Sequence, residues 1–212
     1  MTIADHPVRQ APVLTSIFQP SCRRAAESFA RVRARILLDS DGAVLTFPAQ
    51  LATAEAVHFA VRYSSGLIHA AVPSARLDEL RIPDQPALAS EHSGIPFTVA
   101  VDAVGVGTGI SGTDRAATLR TLAAADTTYR DLRRPGHVIP IRCRTGFDDP
   151  TIWDTCIDVV SAMGYRPVAV ACRLVTELGE TRNDHDARQF ASEHELAISV
   201  PVGCYDPRRQ AV

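Results

Sequence analysis

The feature that most constrains this chain is an alternation of two periodicities. Short β-type apolar runs recur between segments with helical spacing, and glycine, proline and aspartate break the boundaries. Ile36-Leu37-Leu38 and Val44-Leu45-Thr46-Phe47 flank Asp39-Ser40-Asp41-Gly42, and Asp-Gly between two such runs predicts a tight hairpin. Residues 51–63 have helical spacing, Ser64-Ser65-Gly66 interrupts it, and 67–72 restart as a strand. Further on, strands are expected over 96–101, 136–142, 166–175 and 196–202. Helices are expected over 25–35, 115–125, 152–163 and 187–195, the second opening at Ser111-Gly112-Thr113-Asp114. The pattern implies a single α/β domain over 23–212 with a mixed sheet. Residues 1–22, with Pro7, Pro12 and Pro20 and no sustained period, read as an irregular arm.

Charge narrows the partners. The 22 basic and 24 acidic residues leave a net charge of -2, so no positive field exists to displace counterions from a phosphate backbone, and nucleic acid is not expected. Every basic residue is arginine, which removes lysine Schiff-base chemistry. The longest apolar runs, such as 167–172, fall far short of the ~20 residues that cross a bilayer, so no membrane span is expected. Five cysteines, an odd number without a CxxC pair, and no cleavable apolar segment near Met1 point to a reducing, cytoplasmic compartment. A chain of 212 residues buries enough surface to need neither disulfide nor structural metal.

Three segments carry chemistry: Gly107-Thr108-Gly109-Ile110-Ser111-Gly112-Thr113-Asp114-Arg115-Ala116-Ala117-Thr118, then Asp131 through Arg142 with Arg134-Pro135-Gly136-His137 at its centre, and Phe47-Pro48-Ala49. Together they resemble the 3,4-dihydroxy-2-butanone 4-phosphate synthase family. Supporting pieces run from Arg62-Tyr63-Ser64-Ser65-Gly66 to Gly164-Tyr165-Arg166-Pro167. The resemblance implies an α/β fold made of a single three-layered domain, its mixed twisted sheet flanked by helices. It also implies a homodimer with sites near the subunit boundary, and a Mg²⁺-dependent reaction on ribulose 5-phosphate.

The resemblance is uneven. The resemblance implies an acidic loop before the FPA segment; residues 38–44 stand there instead, either holding Ser40, Gly42 and Val44 in place of carboxylates or, aligned with a deletion, forming a tight Asp-Gly hairpin with the loop absent. The family's TRGGHTEA motif, with the metal histidine, matches 148–155, where Ile152 takes the histidine position, Trp153 the next and Asp154 the glutamate position. Isoleucine offers a hard cation no lone pair. The family's acid/base glutamate in a CEL segment matches Arg173 of Cys172-Arg173-Leu174.

His137 and Asp114 are therefore the expected catalytic residues, His137 as a general acid/base near neutral pH. Arg115, Thr118, Arg134, Ser65, Asp154, Arg173 and Trp153 are the expected substrate contacts, with no metal ligand and no cofactor. The 105–112 loop is anion-capable, with glycines admitting close backbone approach. Asp148, Asp149 and Asp154 read as solvated helix caps, and His58, His69, His92, His185 and His194, which lack ligand spacing, as ordinary. The main expectation is a repurposed, metal-independent cyclase, isomerase or lyase of specialised metabolism, acting on a small-molecule substrate other than ribulose phosphate, with an open, apolar pocket mouth. The alternatives are a non-catalytic dimeric ligand-binding protein and an authentic synthase of riboflavin biosynthesis.

Overall fold

The computed structural model describes residues 32–87, 94–144, 146 and 150–201. The arm over 1–22, residues 25–31 of the helix expected over 25–35, His92, Asp148 and Asp149 lie outside the described residues, and of the rest of that helix Arg35 already belongs to the first strand.

β1 (Arg35–Asp39) and β2 (Gly42–Pro48) form the expected hairpin, with Asp39 opposite Gly42. The Asp39 carboxylate accepts the Asp41 amide at 2.9 Å, an Asx turn that closes the connection. α1 (Ala54–Tyr63) starts at Thr53, whose hydroxyl caps the Ala56 amide, and leads into β3 (Ile68–Pro73). A short helix α2 (Ser74–Glu79), not foreseen from the sequence, follows Pro73. The remaining elements are β4 (Val101–Ala103), α3 (Gly112–Ala123), β5 (Leu132–Cys143), α4 (Ile152–Ala162), β6 (Ala169–Arg173), α5 (Asp184–Glu193) and β7 (Ala197–Ser199).

The strands form one mixed sheet in the order β4-β5-β3-β6-β2-β1-β7. β3 runs parallel to β5 and β7 parallel to β1, while β1–β2, β2–β6, β3–β6 and β4–β5 are antiparallel. Side-chain alternation divides the core in two. One face buries Leu38, Leu45, Phe47, Val72, Val138 and Val170 with Leu119 of α3 and Phe190 of α5. The other packs Leu37, Val44, Ala71, Ile141, Ala169 and Ala171 under α4 through Ile152, Trp153, Cys156 and Ile157. Helices, sheet and α4 thus make three layers.

The expected strand over 96–101 survives only as Val101–Ala103, because the backbone before it is divided between two partners. Thr98 donates to the Pro140 carbonyl, whereas Val99 and Gln85 tie the segment to residues 83–85. β5 is longer than expected and takes up the 134–137 motif, opposite which the β4 register shifts between Val101 and Asp102. No described helix is long and apolar enough to cross a membrane.

Candidate active site

The register shift in β4 brings Asp102, which sequence reasoning missed, under the Arg134-Pro135-Gly136-His137 segment. Asp102 is buried, at 2% exposure. Its Oδ1 accepts the His137 backbone amide at 2.9 Å, and its Oδ2 lies 2.9 Å from His137 Nδ1. A carboxylate only accepts, so Nδ1 carries the proton and Nε2 of the neutral ring keeps its lone pair. The His137 side chain is 39% exposed, so this nitrogen is the one left for a ligand. The close approach depends on glycine: a Cβ at Gly136 would run into the Val101 carbonyl carbon. Arg133 joins the group, 3.7 Å from Asp102 Oδ2 and donating to the Gly107 carbonyl at 2.9 Å.

The loop before α3 closes on the same pair. Gly109 has φ +84°, and a Cβ there would collide with the Asp102 carboxylate and the His137 ring. Asp114, in the first turn of α3, accepts the amides of Gly109 at 3.0 Å and Gly107 at 3.4 Å, while its own amide is capped by Ser111 Oγ. Burial pulls its carboxyl upward, but these loop amides and the Ser111 and Thr108 side chains outweigh it and hold the group below the usual range. The loop expected to cradle an external anion therefore already holds the protein's own carboxylate with two of its amides.

The other expected contacts are placed as follows. Thr118 is buried and committed on both sides, accepting the Ala103 amide at 2.9 Å and donating to the Asp114 carbonyl at 3.0 Å. Arg115 is buried with one bond to the Gly66 carbonyl at 3.2 Å, and burial lowers its pKa. Arg134 reaches the Leu80 carbonyl at 2.6 Å, and Ser65 is exposed in the turn between α1 and β3.

A second pole is built around Arg173. Arg173, at the end of β6, grips Asp39 of the hairpin with both arms of its guanidinium, at 2.5 and 2.9 Å. Its guanidinium carbon is 5.6 Å from the centre of the Trp153 ring. Trp153 and Ile152, expected at an open apolar mouth, are instead 5% and 4% exposed, because they form the apolar face with which α4 packs on the sheet. Asp154 borders the cavity beside Phe97 but is engaged by its own helix start. Oδ1 accepts the Arg144 amide at 2.7 Å and Oδ2 accepts the Thr151 amide and hydroxyl at 2.9 and 2.8 Å, which makes a capping box with Thr151.

His69, read as ordinary from its spacing, belongs to this pole. On β3 it pairs with Ile139, two residues from His137, and with Ala171, two residues from Arg173. Its ring lies 5.5 Å from that of Phe97 and 5.6 Å from that of Trp153. Burial lowers its pKa to about 4, with the Ala171 carbonyl offsetting this in part and the Arg173 charge adding to it. Only the pairing across three strands reveals it.

This geometry can be set against known proteins. The family model for 3,4-dihydroxy-2-butanone 4-phosphate synthase matches residues 23–200. The chain belongs to this family. The riboflavin biosynthesis protein RibBA of Mycobacteroides abscessus is 37% identical over 199 residues, covering 90% of this chain and 48% of that protein. RibBA of Salinispora arenicola is 42% identical over 157 residues, covering 73% and 37%. The chain thus spans about half the length, or less, of these curated relatives. A crystal structure of the synthase of Candida albicans superimposes with a TM-score of 0.73 at 30% identity, covering 87% of this chain and 95% of that one. A synthase in complex with two magnesium ions gives 0.70 at 29% identity, covering 84% and 91%.

These relatives overturn the expectation of a repurposed enzyme of specialised metabolism. At 36 to 42% identity the curated matches carry riboflavin-pathway names, and nothing among them supports a different substrate.

Proposed function

We propose that the chain is a 3,4-dihydroxy-2-butanone 4-phosphate synthase of riboflavin biosynthesis, acting on ribulose 5-phosphate as a homodimer in the cytoplasm. The observation that carries this reading is the Asp102–His137 pair seated on the glycine loop of Asp114 within the matched family segment. His137 Nε2 is the proton acceptor, taking a proton from carbon beside the substrate carbonyl, and Asp102 keeps the ring in the tautomer that leaves this nitrogen free. Asp114 acts by holding the loop at Gly107 and Gly109, Arg115 and Arg134 supply positive charge to the phosphorylated substrate, and Ser65 lies at the rim. Exposed Leu67, Val104 and Ile110, at 51%, 60% and 52%, flank the segments that carry His137 and Gly109 and favour burial against a second copy. The buried free thiols Cys143, Cys156 and Cys172 favour a reducing compartment.

The family implies divalent metal, and the described residues do not fit it. Ile152 has no donor atom, Asp154 is engaged in the cap of its own helix, and Asp39 faces the Arg173 guanidinium. Among the described residues no group of three or more His, Cys, Asp or Glu is placed to hold an ion.

The test is direct. The purified chain incubated with ribulose 5-phosphate, with and without Mg²⁺, is expected to release formate and the four-carbon phosphate, and His137→Gln is expected to lose 10²-fold or more in rate, on the order of a missing general base. Absence of formate release by the wild-type chain under both conditions refutes the proposal.

A further inference from the structure

Neither nitrogen of the His69 ring makes a well-aligned hydrogen bond, the Ala171 carbonyl being near enough only to offset part of the burial effect, although the residue is only 6% exposed. A buried donor and acceptor left unmatched are costly, and the great majority of such groups in folded proteins are paired. Among the described residues, two of the other unpartnered buried atoms, Arg115 Nε and Arg134 Nε, belong to side chains that bond elsewhere through another atom, whereas Thr176 Oγ1 is a lone hydroxyl. In His69 both nitrogens lack a well-aligned partner.

Its surroundings say what kind of partner is missing. The ring is covered in part by the side chains of Phe97 and Trp153, which can move by rotamer changes without a backbone shift. Phe97 also lines a cavity of about 520 Å³ with Gln85, Ile95, Arg142, Thr151 and Asp154, so the ring next to His69 borders open volume. Through the strand register, His69 stands two residues' breadth from both His137 and Arg173.

We propose that His69 is a substrate-binding residue, and that a hydroxyl or carbonyl oxygen of the sugar-phosphate chain supplies the partner its ring lacks in the protein. The assignment rests on the ribulose 5-phosphate reading above and adds to it a contact for the uncharged part of the substrate. A neutral imidazole offers one donor and one acceptor, which matches a hydroxyl. The depressed pKa keeps the ring neutral at pH 7. A cation is disfavoured as the partner, because the guanidinium of Arg173 already stands close enough to depress the ring's proton affinity.

The test uses the full chain with ¹⁵N-labelled histidine and ribitol 5-phosphate, an analogue without the carbonyl on which turnover depends. Ribitol 5-phosphate is expected to shift the His69 ring nitrogens, and inorganic phosphate or Mg²⁺ alone to leave them in place. His69→Phe, which keeps the aromatic stack, is expected to bind the analogue about tenfold more weakly, the scale of one lost hydrogen bond, and His69→Gln to recover part of that loss. Unmoved ring signals at saturation, an equal shift with Mg²⁺ alone, or unchanged affinity in His69→Phe overturn the assignment while the synthase reading stands. A wild-type chain that neither binds the analogue nor converts ribulose 5-phosphate overturns both.

Discussion

Replacing Arg173 by methionine removes the guanidinium that grips Asp39 while keeping most of the stem that packs near Trp153. The structure sets the size of the effect. The two side chains are 18% and 10% exposed, and the contact is a double bond between fork and carboxylate at 2.5 and 2.9 Å. Taking one partner from a largely buried pair leaves an uncompensated charge, so Arg173→Met is expected to cost about 3 kcal/mol. Asp39→Asn leaves the more exposed guanidinium, still stacked near Trp153, and is expected to cost about 2 kcal/mol. The double variant leaves neither charge stranded and is expected to cost about 2 kcal/mol, well short of the about 5 kcal/mol that additivity would give. Urea unfolding of the four proteins measures the cycle, and Arg173→Met alone should lower Tm by about 6–12 °C. Additive single costs, with coupling below about 0.5 kcal/mol, refute the claim that this ion pair seats Arg173.

Three further outcomes follow from other parts of the site. His69 has its pKa lowered from 6.5 to about 4, so the unfolded chain takes up that proton first: stability is unaffected above about pH 6.5 and falls by about 3 kcal/mol between there and pH 4. His69→Phe should lose this part of the acid sensitivity in pH-dependent denaturation, and an unchanged profile would contradict the burial argument. Gly109→Ala should reduce ribulose 5-phosphate turnover at least tenfold, because its Cβ meets Asp102 and His137 at φ +84°; wild-type kcat would show that the loop does not seat the pair. Asp154→Ala removes the acceptor for the Arg144 amide and for both Thr151 groups, and a loss of about 2 kcal/mol in thermal unfolding is expected, with any smaller change than about 0.5 kcal/mol arguing against the capping role.

Much of the architecture was legible along the chain because local chemistry and the final fold agree. The Asp39–Gly42 hairpin, the start of α3 at Ser111 and the strand through His137 depend on turn residues, caps and period-2 alternation, which act over a few residues. The family segments were legible for the same reason, since the glycine loop and the 134–137 motif are contiguous. Ile152, Trp153 and Arg173 were singled out along the chain too, but their place in the fold was not legible. They suggested an apolar mouth and a new chemistry, whereas the fold buries the first two under α4 and gives Arg173 a partner on another strand.

What the sequence by itself determined is the α/β alternation and the hairpin, and its family segments pointed to His137 and Asp114, which the fold brings to the same glycine loop. Only the tertiary structure decided who their partners are. Asp102 and His137 are 35 positions apart, and Arg173 and Asp39 are 134 apart, brought together by sheet order. His69 meets the site only through its rungs on β5 and β6. Periodicity reports which face a side chain takes within its own strand, but the sheet order that sets strands side by side arises from packing the whole apolar surface at once, so no local stretch of residues encodes it.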